Sequence, residues 1–211
     1  MIAPILVTPP EILPVSLEEA KLHLRVEDND EDTLINALLR AAVSHLDGWT
    51  GVLGRCLVEQ TWRLDFDTFG RCMRLPLWPI IEIESITWRN EAGQVATIGD
   101  SNYALRSDER GAYVYWDRAY GSPSGLYESA AVSVQVKAGY STTPAVEADP
   151  EAEPPVEAVP AVSTVPAALK VAILLLVGTW FDNREATVSG NSSELPFAVN
   201  ALIAPFRRIS I

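Results

Sequence analysis

The chain has 211 residues, 48% of them hydrophobic and 21% charged, with a formal net charge of -12. That composition supports one good hydrophobic core and excludes wholesale disorder. The acidic balance argues against nucleic acid as a gripped ligand, because phosphate binding rests on clustered lysine and arginine.

The N-terminus, "MIAPILVTPP", lacks a basic region and an unbroken apolar core, so it reads poorly as a signal peptide. Residues 1–54 are expected to be helical. "PVSLEEAKLHLRV" sets Ser16 three residues before Glu19, the signature of a capping box. Leu17, Ala20 and Leu24 follow on one face. "DNDEDTLINALLRAAVSHLDGWTG" places Asp30, Glu31 and Asp32 where acids complement a helix dipole. Leu34, Ile35, Leu38, Leu39, Ala42, Val43 and Leu46 then recur with helical period, and Gly48 and Gly51 mark the end.

Residues 55–140 change to a β pattern. In "VEQTWRLDF" Val58, Trp62, Leu64 and Phe66 share one face, and Glu59, Thr61, Arg63 and Asp65 the other. "PIIEIESITWRNEAGQV" gives a strand, a phase slip between Ile83 and Ile86 that signals a bulge, and a turn at Asn90 to Gly93. "YALRSDERGAYVYW" reads as a hairpin around Asp108 to Gly111. "AVSVQVKAGY" alternates with Val132, Val134 and Val136 on one side. Residues 141–165 hold five prolines, five acids and no base, a composition that suggests an extended loop. Residues 166–211 return to helix: Pro166 opens a run through "ALKVAILLLVGTWFDNREA", and Leu195 to Arg208 forms a last short helix interrupted by Pro205. The fold class is therefore α+β, a small helical bundle with an inserted antiparallel β-rich subdomain.

Chemistry is sparse. No glycine-rich phosphate loop, HExxH or paired CxxC is present. "DNDEDT" places Asp28, Asp30 and Asp32 like the first ligands of an EF-hand, but Thr33 and Leu39 stand where its glycine and glutamate belong. The spacing is that of an acidic helix start. His45 reads as a core-edge residue, Cys56 and Cys72 as free thiols, and the scattered tryptophans as packing groups. The apolar run Val171 to Phe181 is too short to span a bilayer and reads as a buried helix. Neither an enzyme site, a metal site nor a cofactor site is expected.

The stretches "PVSLEEAKLHLRVEDNDEDTLINALLRAA", "EQTWRLDF", "LPLWPIIEIESI", "VQVKAGY", "ALKVAILLLVGTWFDNREA" and "ELPFAVNALIAPFRR" come in that order. Together they resemble the head–tail connector (adaptor) proteins of long-tailed phages and phage-derived gene transfer agents, in the longer subfamily with a β-rich insertion. The resemblance implies a structural virion protein in the neck between head and tail. It implies a ring, usually of twelve copies, bound to a portal protein and to a stopper or tail-completion protein. DNA would pass through the ring without specific binding, and no membrane or catalytic residue is implied. The alternatives are a stopper or tail-completion protein itself, or a small enzyme with an unrecognised site. Leu195, Phe197, Val199, Leu202, Ile203, Phe206, Arg207 and Arg208 form an apolar segment with a basic end. They are the candidate portal-binding residues, as a helix laid in a groove; the competing reading is that they fold back onto the core.

Overall fold

The computed structural model describes residues 2–148, 158–184 and 196–207. The chain divides into two compact units: residues 1–11 with 59–140, and residues 12–58 with 141–211.

The second unit is helical. α1 (Leu17–Leu24) begins with the capping box the sequence encodes. The Glu19 amide donates to Ser16 Oγ at 3.1 Å, and the Ser16 amide donates to a Glu19 carboxylate oxygen at 2.8 Å. α2 (Asp32–Leu46) buries Ile35, Leu39, Ala42, Val43 and Leu46, the i, i+4, i+7 stripe of an amphipathic helix. His45 is exposed and meets Trp180 edge to face, with ring centroids 6.4 Å apart. After α2 the backbone folds back tightly at Gly51, where a Cβ would lie 2.2 Å from the Asp47 carbonyl oxygen.

α3 (Ala167–Asp182) starts after Pro166 and buries Leu169, Ala172, Ile173, Leu176 and Val177. It packs against α1, α2 and α4 (Phe197–Ile203), which makes it the centre of this unit. Ion pairs tie the helices at their rims: Lys21 to Asp32 at 2.7 Å, Lys170 to Glu19 at 3.7 Å and Arg184 to Glu31 at 2.5 Å. No described helix is long and apolar enough to cross a membrane.

The first unit is built on antiparallel sheets. One has five strands in the order β1-β2-β8-β4-β5, formed by β1 (Ile5–Thr8), β2 (Gln60–Phe66), β8 (Val132–Ala138), β4 (Ile80–Arg89) and β5 (Val95–Ile98). β8 is central and alternates as its sequence does, burying Val132, Val134, Val136 and Ala138. Register shifts fall in β4 between Ile80 and Glu82 and between Ile83 and Ser85, the second at the phase slip read in the sequence. The β4–β5 turn has Gly93 at φ 79, in the left-handed region. A second sheet, in the order β3-β7-β6, joins β3 (Met73–Arg74), β7 (Gly111–Trp116) and β6 (Tyr103–Asp108).

Three features differ from the sequence reading. Residues 5–8, placed in a helical region, form β1 and pair with β2. The run Ile5-Leu6-Val7-Thr8 is too short to show a period, but β2 offers it a free ladder. The polar side of β2 is also less exposed than alternation implies, since Thr61 and Asp65 are both buried. Thr61 donates to Glu84 at 3.0 Å and Ser133 donates to Asp65 at 2.6 Å, which meets the demand of buried polar groups for partners. Finally, the Pro/Glu-rich stretch is paired at its flanks. β9 (Thr142–Thr143) and β10 (Val162–Ser163) form a short antiparallel ladder, extended by a bridge from Val146 to Val159.

Candidate partner-binding surfaces

Of the eight C-terminal candidates, Leu195 and Arg208 lie outside the described residues. The other six divide by geometry. Val199 and Ile203, one turn apart on α4, are completely buried and belong to the core of the helical unit. Phe197 is 89% exposed, the most open large apolar side chain described. Leu202 and Phe206 are half-buried, and Arg207 is exposed. α4 is thus held by one face while Phe197 remains outside it. Phe206 sits in the 3-10 turn Ala204–Phe206 that continues α4. The Arg55 side chain donates to its carbonyl oxygen, and the guanidinium lies 6.0 Å from its ring centroid. The C-terminal segment is therefore both anchored and partly offered, a combination that apolar count alone does not reveal.

The sheet unit carries a second surface that the sequence reading missed. On one face of β3-β7-β6, guanidinium groups lie over tyrosine rings: Arg106 over Tyr115 at 3.6 Å and Arg74 over Tyr113 at 5.0 Å. Such stacking supplies amphipathic contact area at low entropic cost. Arg74 also makes a bidentate bond to Asp108, at 2.5 and 2.7 Å. This bond, assisted by the Arg110 amide, outweighs burial and holds the Asp108 carboxyl down at about 2. At the end of the same sheet Trp116 stacks on Tyr120 at 5.1 Å and meets Phe69 and Tyr103 edge-on. Burial, with a hydrogen bond to Asp100, pushes the Tyr103 hydroxyl up to about 12. The signal was present in "GAYVYW", where tyrosines alternate with small buried residues. Tyrosine and arginine are the residues enriched in protein interfaces.

The polar side of the five-stranded sheet is internally matched. Lys137 bridges Glu82 at 3.2 Å and Glu59 at 3.3 Å, and those carboxylates raise its pKa. Gln135 donates to Glu84 at 2.8 Å. Among the described residues no three His, Cys, Asp or Glu side chains gather to hold a metal ion. What the geometry offers is contact surface.

An α+β chain with an anchored, partly exposed apolar helix and a tyrosine–arginine sheet face carries surfaces of the composition found in protein interfaces. The comparisons are more specific. The family model of the phage gp6-like head-tail connector protein matches residues 14–64. In three dimensions the chain resembles one in the neck of an empty gene transfer agent particle computed with C6 symmetry, at a TM-score of 0.73 and 20% identity. It also resembles one in the neck of a native particle computed with C12 symmetry, at 0.71 and 19%. Both likenesses cover 100% of this chain and 97% of the other. A comparison with curated proteins gave no match. The match to the head-tail connector family thus spans residues 14–64, and the fold of the chain is that of the neck chains.

Proposed function

We propose that this protein is a head–tail connector: a structural, non-catalytic component of the virion neck that forms a ring between the portal and the stopper or tail. The observation that carries this reading is the coincidence of the connector-family segment, residues 14–64, with a whole-chain fold found in gene transfer agent necks. Those necks were computed with C6 and C12 symmetry, which supports a ring of twelve copies here. A net charge of -12 suits a conduit that DNA passes without adhering.

Within that reading the C-terminal segment is the portal contact. Val199 and Ile203 anchor it to the helical unit, and Phe197, Leu202, Phe206 and Arg207 face the portal. Leu195 and Arg208 extend the same segment in sequence. Aromatic residues and arginine are enriched in protein interfaces.

Mass photometry of the protein, alone and mixed with the cognate portal ring, tests the reading. Addition of about twelve copies per portal, the number set by the C12 neck and by a closed ring of identical contacts, is expected. A discrete small oligomer that ignores the portal would return the protein to the stopper or enzyme alternatives.

A further inference from the structure

Among the described residues the five-stranded sheet has two open edges: β1 pairs with β2 alone and β5 with β4 alone. Edge strands ordinarily discourage further pairing by being very short or bulged, or by a lysine, a proline or a covering element. Neither strand here carries a charge or a proline; they read Ile5-Leu6-Val7-Thr8 and Val95-Ala96-Thr97-Ile98. Every residue of β1 is exposed, Leu6 at 43%, and so are the first three of β5, Val95 at 61%.

We infer that these edges are the two halves of the contact between neighbouring copies, with β1 of one copy adding alongside β5 of the next. The inference rests on the ring reading above.

Charge, length and direction commit the occupant to a second copy of this chain. Copies bearing -12 each repel one another, and these uncharged edges are where approach costs least. The two strands match in length at four residues each, β1 with a register shift between Leu6 and Thr8. Direction is the most specific argument. All four pairings across the sheet are antiparallel, so β1 and β5 point the same way. A ring of more than two copies joins two different surfaces of each subunit. In a head-to-tail ring such as the C12 neck relative, each copy repeats the orientation of the last apart from a turn of about 30°, so the sense of its edge strands in the ladder is kept. β1 and β5 of adjacent copies therefore meet as a parallel pair. A two-fold dimer would instead pair β1 with itself, antiparallel.

Main-chain hydrogen bonds would supply the affinity of this contact, and the side chains of Leu6, Val7, Val95 and Thr97 its fit. The test is disulfide trapping in necks assembled with the portal, in a Cys72→Ser background because Cys72 is exposed. One cysteine replaces Leu6 or Val7 and a second replaces Ala96 or Thr97. Oxidation of the double variants is expected to give a ladder extending past dimer on a non-reducing gel, while single variants stay monomeric. Dimers from Leu6→Cys alone would overturn the inference in favour of a two-fold contact. A cross-link from Leu6→Cys to a different protein would overturn it in favour of that partner. Necks that contain the protein but give no ladder with any pair would overturn it and leave the connector role standing. Absence of the protein from necks would remove both. Separately, Leu6→Lys is expected to keep the melting temperature and cut ring formation at least tenfold; undiminished ring formation contradicts edge pairing.

Discussion

Phe197 and Ile203 occupy the same short helix, one exposed and the other buried. Ile203 is fully buried, so Ile203→Ala should cost about 2–5 kcal/mol in urea unfolding. Phe197→Ala should leave stability within about 0.5 kcal/mol, as for an ordinary surface change, and weaken portal association at least tenfold. If Phe197→Ala lowers the melting temperature and leaves portal binding intact, the segment is core alone. The Arg74–Asp108 pair gives a second residue-scale expectation. Asp108 titrates near 2 in the folded protein against an ordinary 3.8. Its contribution is complete above the unfolded value and is lost as pH falls through the folded one. Arg74→Ala should move the Asp108 titration up toward 3.8 in carboxyl NMR, and a value still near 2 would transfer the effect to the Arg110 amide. Neither division was legible in the sequence. Seven residues of α4 make two turns, and their pattern does not say which turn faces α3. Arg74 and Asp108 are brought together only by pairing of β3 and β6 with β7.

Elements were more legible where a local rule decides them. The Ser16/Glu19 box, the α2 stripe, the alternation of β8 and the turn at Gly93 each depend on neighbours in sequence, and each formed as read. β1 was missed because its structure depends on β2, far along the chain; Ile5 opposes Arg63 and Leu6 opposes Trp62. The β9–β10 ladder was missed because proline and acid dominate the composition between its strands. Two changes probe the local rules. Ser16→Ala should cost about 1 kcal/mol through the lost cap, measured by chemical denaturation; no loss would show that packing on α3 alone fixes α1. Gly51→Ala should be far more damaging, since its Cβ would fall inside contact distance of the Leu46 and Asp47 carbonyl oxygens. A soluble Gly51→Ala protein with an unchanged melting temperature would contradict that close approach.

For the molecule as a whole, charge and assembly oppose each other. In the proposed ring, copies of net charge -12 stand side by side, and salt screens their repulsion over a Debye length of ~10 Å at 0.1 M. Ring formation through uncharged edges should therefore strengthen between about 20 and 500 mM sodium chloride, by sedimentation or mass photometry. Weakening over that range would assign the contact to ion pairs instead. The proposed connector role was legible as a resemblance spread over most of the chain, because the family pattern lies in the order of its segments. The surfaces that would serve that role were not, because exposure is a property of the folded chain.

The ladder of β9 with β10, extended by the bridge from Val146 to Val159, makes the chain leave and return at one place. Whatever length lies between those valines, the strands on either side keep their register and α3 keeps its start at Ala167. Closing a longer span costs only about 0.6 kcal/mol per doubling. This is a natural splice point. A peptide tag or a small fluorescent domain inserted between residues 148 and 158 should leave the melting temperature and neck assembly unchanged, giving a label on every copy. The same freedom would let related chains drift in length here while every helix and strand around the ladder stays in place.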